Sequence, residues 1–146
     1  MPLGSKDRVF ANRAVRAALA FSLAVAAPAG LQAEPVQQLR IYRVPAENEE
    51  VFHRRFRDQA IPIMRGHGFE FVATWRSRHE GQTEFVYLLS WPDEATMAAA
   101  WDAFMADERW SEIKRRTAAK HGTFVLGIED RTLIPTDYSP SSLDGD

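Results

Sequence analysis

The sequence predicts an α+β sandwich: two strand–helix–strand units folded into a four-stranded antiparallel sheet with its helices on one face. Three observations predict it. Segments of period-two and helical-period hydrophobicity follow one another in the order βαββαβ. Both halves leave their helix for the next strand through a matching junction, His67-Gly68-Phe69 and His121-Gly122-Thr123-Phe124. The third strand is apolar on both faces, as suits a strand inside a sheet whose two sides are both covered.

The elements follow in order. Gln37 to Val44 alternates, Leu39 and Ile41 against Arg40 and Tyr42, and forms strand one. Pro45 breaks it. Asn48 then supplies a cap, and Glu49 and Glu50 supply acids for a helix N-terminus. Phe52, Phe56, Ala60 and Ile63 recur at helical spacing, with Arg54, Arg55, Arg57 and Asp58 expected on the outer face. Pro62 lies within that pattern, so the helix kinks or restarts there, and Gly68 is the natural left-handed stop. Strand two runs from Phe69 to Arg76, with Phe69, Phe71, Ala73 and Trp75 expected on one face. Strand three runs from Glu84 to Trp91 and sets Phe85, Tyr87, Leu89 and Trp91 against Val86, Leu88 and Ser90. Pro92 stops it and Asp93 caps the next helix, whose stripe is Met97, Trp101, Phe104 and Met105. Asp107 opens a further helical segment containing Trp110 and Ile113, and Lys114-Arg115-Arg116 suits its carbonyl end. Strand four is expected from Thr123 to Leu133, and a polar, Pro-punctuated tail follows. This order is that of the ferredoxin-like βαββαβ sandwich, over residues 34–140.

Residues 1–33 have a different character. Lys6, Arg8, Arg13 and Arg16 precede an uncharged run from Ala17 to Ala27, and then come Pro28, Gly30 and small residues. A basic segment, a short apolar run and a small-residue exit make up a secretory signal peptide, and the run is too short to span a bilayer. Two exits fit, after Ala33 or after Ala29, and Ala33 is favoured. A mitochondrial presequence is the competing reading, but an unbroken Ala/Leu/Val run is not amphipathic. The expected address is therefore secreted or periplasmic. The signal segment holds four basic residues and one acidic residue, so its removal takes the net charge from −2 to −5. An acidic chain of this kind offers nothing to nucleic acid, and no membrane anchor remains after cleavage. Residues 141–146 are expected to be a disordered tail.

The chain holds no cysteine, which excludes disulfides, thiolate metal sites and cysteine nucleophiles. Its four histidines, His53, His67, His79 and His121, show no metal-binding spacing, so no metal and no cofactor is expected. His67 and His121 fall in the last turns of their helices, where they suit the carbonyl ends, and His53 and His79 read as solvated. Two helices cover one face of a four-stranded sheet, and the other face is also apolar, so a second copy is expected to close over it as a homodimer. Arg40, Tyr42, Tyr87 and Arg131 then read as polar groups inside a barrel-like core, with Trp75 and His67 as further contacts for a small apolar or aromatic ligand. The bland reading pairs Arg40 and Arg131 with Glu129 or Glu84 and places both tyrosines in the core.

Taken together, several segments resemble the NIPSNAP family of the dimeric α/β-barrel superfamily. They are Leu39-Arg40-Ile41-Tyr42, Ile61-Pro62-Ile63 leading to His67-Gly68-Phe69, Glu84 to Leu89, Ala100 to Phe104, Asp107 to Trp110, and Arg131 to Pro140. The resemblance covers about residues 36 to 140. It departs at Glu108, where the family often has proline, and in the secretory leader. It implies a dimeric α/β barrel and says little of chemistry, because superfamily relatives include cofactor-independent monooxygenases, haem-degrading enzymes and isomerases. Two functions stay open: a binding or interaction module, or a small cofactor-independent monooxygenase or isomerase acting on an aromatic or lipophilic metabolite. Haem binding would need a histidine inside the chamber, and neither junction histidine obviously points there.

Overall fold

The computed structural model describes residues 34–140. The signal-peptide reading of residues 1–33 and the tail at 141–146 lie outside the described residues. The elements are β1 (Val36–Val44), a 3-10 turn (Ala46–Asn48), α1 (Glu49–Arg55), a π segment (Phe56–Ala60), α2 (Ile61–Gly66), β2 (Glu70–His79), β3 (Gln82–Trp91), α3 (Glu94–Ala106), α4 (Glu108–His121) and β4 (Gly127–Leu133). The strands pair in the order β2-β3-β1-β4, every neighbour antiparallel, which is the ferredoxin-like sheet expected from the sequence.

Local chemistry explains most of the boundaries. Pro62 has no N–H to give Asp58, and the helix answers one turn early by widening, with the Ile61 N–H reaching the Phe56 carbonyl five residues back. At the end of α2, Gly68 (φ +86) allows the Phe69 N–H to bond the Met64 carbonyl at 3.2 Å and its own N–H to bond Arg65 at 3.1 Å, a Schellman stop. Asp93 accepts from the Thr96 N–H at 2.6 Å and Asp107 from the Arg109 N–H at 2.9 Å, as the sequence predicted. Asn48 differs. Its side chain makes no cap bond; Nδ2 donates instead to the carbonyls of His121 (3.2 Å) and Thr123 (3.0 Å), tying the start of α1 to the end of α4.

The core lies between the sheet and the helices. Phe52 is 1% exposed and sits among Tyr42, Phe56, Phe85 and Phe124 at one end. Phe69, Trp91, Trp101 and Phe104 form the other end, with Trp110 stacked on Phe104 at 5.2 Å. Each such ring contributes about 1.5–3 kcal/mol by leaving water. In α3 the buried positions are Ala100 and Phe104, with Met97 and Trp101 at the margin; Met105 is exposed, because it turns past the stripe.

Three further expectations fail for tertiary reasons. Arg55, expected outside, is buried, because Trp110 of α4 and Phe124 close over its side of α1. His53, expected in solvent, packs edge-on against Phe85 at 5.1 Å. β4 begins at Gly127 rather than Thr123, since Phe124 turns into the core and only the Leu126 N–H reaches β1, at the Arg43 carbonyl.

Candidate functional site

Alternation along β1 sends Gln38, Arg40 and Tyr42 to the helix-covered face. There Arg40 lies opposite Tyr87, and Tyr42 lies opposite Phe85. Tyr42 and Tyr87 share a hydroxyl–hydroxyl bond of 3.0 Å, and Arg40 Nη2 donates to the Tyr42 hydroxyl at 3.2 Å. Arg40 also pairs with Asp130 of β4 and lies over the Trp101 ring at 4.3 Å. Gln38 completes the group. Its Nε2 donates to Asp130 at 2.9 and 3.0 Å, while its Oε1 accepts from the indole N–H groups of Trp101 (2.8 Å) and Trp91 (3.2 Å).

This network spans three strands and one helix, from the buried Tyr87 to Asp130 at the sheet edge, whose side chain is 44% exposed. Burial pushes the Tyr87 hydroxyl well above the ordinary phenol range, and the neighbouring Tyr42 adds to it, so Tyr87 is a neutral phenol at physiological pH. Burial works against the Arg40 cation, but the tyrosine hydroxyls and Asp130 outweigh it, and its pKa is raised. Arg40 Nε remains buried without a hydrogen-bond partner. The arrangement can hold a fixed positive charge beside a phenol, which is what orienting an anion or an enolisable ring requires. Side chains fill the layer: Tyr87 is 0% exposed and the Arg40 side chain 12%.

The predicted site residues do not form one constellation. Arg40, Tyr42 and Tyr87 meet, but beneath the helices rather than on the open face where a second sheet would pack. Arg131 lies on the open face, opposite Leu39, and bonds Glu129 at 2.6 Å. Trp75 also faces outward. β2 carries a bulge between Phe71 and Ala73, so Phe71 keeps its place opposite Leu89 in the core while Trp75 falls opposite Val86. The sequence pattern placed Phe71 and Trp75 on one face; the extra residue, Val72, separates them. His67 sits apart from both groups. Its Nε2 meets Asp107 Oδ2 at 2.9 Å, tying the end of α2 to the cap of α4 rather than to a helix carbonyl.

Sequence reading missed Gln38 and Asp130. Gln38 was legible in principle, because it shares the two-residue period of Arg40 and Tyr42. Asp130 was not, because its face depends on the register of β4 against β1. The bland pairing expected for Arg131 with Glu129 is found, whereas Arg40 takes Asp130 and Glu84 takes Ser77 at 3.0 Å.

The open face is a built surface in its own right. Trp75, Val86 and Ile41 make one row across β2, β3 and β1, and Ala73, Leu88 and Leu39 make the next. Glu129 and Arg131 end these rows on β4, and Arg43 and Glu84 lie beyond them. Gly127 clears the way for Arg43, since a Cβ there would stand 2.5 Å from the guanidinium. Among the described residues, no helix is long and apolar enough to cross a membrane.

Solved structures of NIPSNAP proteins superpose on this fold. A NIPSNAP family protein from Agrobacterium tumefaciens superposes with a TM-score of 0.64 at 18% identity, covering 74% of this chain and 99% of its own. A second protein from that organism, a NIPSNAP family member of unknown function, gives 0.63 at 20%, covering 73% and 93%. An uncharacterised NIPSNAP-like domain protein from Burkholderia xenovorans gives 0.63 at 19%, covering 73% and 90%. No curated protein matches the sequence. The NIPSNAP family profile matches residues 37–140, from the first strand to the end of the described tail, and the chain belongs to the NIPSNAP family.

Proposed function

We propose that this chain works as an exported homodimeric binding module, two copies packed sheet against sheet through their open faces. One observation carries it: Trp75 stands 49% exposed at the end of a continuous apolar field with Val86, Ile41, Leu88 and Leu39, rimmed by charges of both signs. A single chain leaving such a field in water forgoes the burial that a two-fold partner supplies, and the mixed rim lets the same patch oppose itself. The basic and apolar segments of residues 1–33 support export. Native mass spectrometry of the protein from its host's envelope tests both parts. A dimer of chains beginning at Glu34 is expected, and Leu88→Lys is expected to give a folded monomer. A monomeric wild-type protein at micromolar concentration would overturn the pairing, and an uncleaved chain in the cytosol would overturn export.

A second reading, a cofactor-independent monooxygenase or isomerase for an aromatic or lipophilic metabolite, rests on the buried Arg40, Tyr42 and Tyr87 network. A charged donor beside a phenol suits proton transfer to a ring. The filled packing around Tyr87 ranks this reading second. A ligand co-purifying with the wild type and lost from Tyr42→Phe would promote it.

A further inference from the structure

Among the described residues, Arg55 is an arginine without a counter-ion. It is 9% exposed, its Nε is buried without a partner, and among the described residues no carboxylate pairs with it. Aromatic faces hold it instead. The guanidinium carbon lies 4.2 Å from the Phe124 ring centre, 5.2 Å from Trp110 and 5.8 Å from Phe52. Ring faces stabilise a cation and fix its plane, but they accept no conventional hydrogen bonds from the N–H edge of the fork. Burial pulls its pKa down to about 10, so the group remains a cation at neutral pH. A charge so placed, without an anion, is a standing electrostatic cost.

Arg55 lines a groove of 390 Å³ between α1 and α4. The other charged groups of the lining are Arg54, Arg116 and Lys120, and among the described residues no carboxylate lines it. Arg116 is partly compensated by Glu112 at 3.5 Å, and Lys120 also complements the carbonyl end of α4. Arg55, in the last turn of α1, has no carboxylate partner among the described residues. The whole chain carries net negative charge, so this concentration of cations runs against its average. Gln59 adds a neutral amide, and Val51 and Ile113 add apolar edges.

We propose that the α1–α4 groove is a binding site for a phosphate-class oxyanion, anchored by the Arg55 fork and rimmed by Arg54, Arg116 and Lys120. A planar guanidinium held between rings presents parallel N–H donors to two oxygens of one phosphate, and the anion supplies the missing counter-charge. The apolar edges accommodate the carbon portion of a phosphate ester, whether a soluble monoester or a phospholipid headgroup.

Calorimetric titration of the purified full protein with inorganic phosphate tests the site, with sodium chloride at matched ionic strength as the control. One saturable site per chain is expected. Arg54→Gln combined with Lys120→Gln, both at exposed positions, is expected to weaken binding at least threefold with the melting temperature unchanged. Arg55→Gln is expected to weaken it tenfold or more; should that variant fail to fold, the rim pair carries the test alone. Heat that does not saturate, that matched chloride reproduces, or that the rim pair leaves unaltered overturns the site. Flotation with phosphatidylglycerol vesicles, against phosphatidylcholine, then assigns the source. Flotation that phosphate competes away, together with saturable phosphate binding, identifies a lipid headgroup, and phosphate binding without flotation identifies a soluble ester.

Discussion

The hydroxyls of Tyr42 and Tyr87 meet at 3.0 Å on adjacent strands, beneath the helices and beside the Arg40 guanidinium. Because Tyr87 is fully buried, its hydroxyl has no water to fall back on. Tyr87→Phe keeps the ring and removes only that bond. The expected loss is about 1 kcal/mol in urea-denaturation midpoint analysis. An unchanged midpoint would mean that the pair contributes nothing to the fold.

Gln38 is the hub of the same layer. Gln38→Leu leaves the indole N–H groups of Trp91 and Trp101 without their acceptor and takes one partner from Asp130. Unsatisfied buried donors cost about 1–3 kcal/mol each, so the expected loss is about 2 kcal/mol or more, read as a lower urea midpoint. The Trp91 emission should shift as well, because its N–H loses a fixed partner.

Phe52 contacts five other aromatic rings, the His53 imidazole among them, at 1% exposure, and Met105 points to solvent at 52%. Phe52→Ala is expected to cost about 3–5 kcal/mol, a large share of a small domain's stability. Met105→Ala should stay within about 0.5 kcal/mol. Thermal melts followed by circular dichroism compare the two, and equal losses would contradict the packing described.

Acid should weaken the fold through α1. Burial, with Arg76 beside it, lowers the His53 pKa, so the unfolded chain takes up this proton first as pH falls below about 6.5. Stability from His53 is therefore complete above that pH and is lost on acidification. Glu49 accepts from both Arg78 nitrogens at 3.1 and 2.6 Å, and these bonds hold its carboxyl below the ordinary range. Its contribution is present above the unfolded value and lost as pH falls through the folded one. The urea midpoint of the wild type, relative to His53→Gln, is expected to fall between pH 7 and 5. Relative to Glu49→Gln it is expected to fall only below about pH 4.5. A wild-type advantage that grows on acidification would reverse the assignment.

The bulge at Val72 makes its own prediction. Deleting Val72 leaves Phe71 opposite Leu89 and Ala73 opposite Leu88, so the remaining strand can alternate regularly without changing partners. The deletion is expected to fold and to keep nuclear Overhauser contacts between Trp75 and Val86. Contacts from Trp75 into the Phe56 and Phe71 cluster would show instead that the register had slipped.

The sequence by itself determined the element order, the caps at Asp93 and Asp107 and the Gly68 stop, because each depends on interactions within a few residues of chain, and the family, because its segments recur in order along the chain. Backbone sterics at glycine and proline, and the short reach of a capping carboxylate, need no distant partner. Only the tertiary structure decided which face each functional side chain occupies. Arg55 reads as an outer-face arginine until α4 and Phe124 fold over it, and Asn48 reads as a cap until the end of α4 offers two open carbonyls. Trp75 parts from Phe71 because one residue more than the pairing can use must leave the ladder as a bulge. Arg40, Tyr42 and Tyr87 were legible as inward-pointing polar groups, but whether inward meant toward a second sheet or toward the helices depended on which side the helices cover. That choice is made by burial summed over the whole domain, which no local stretch of sequence encodes.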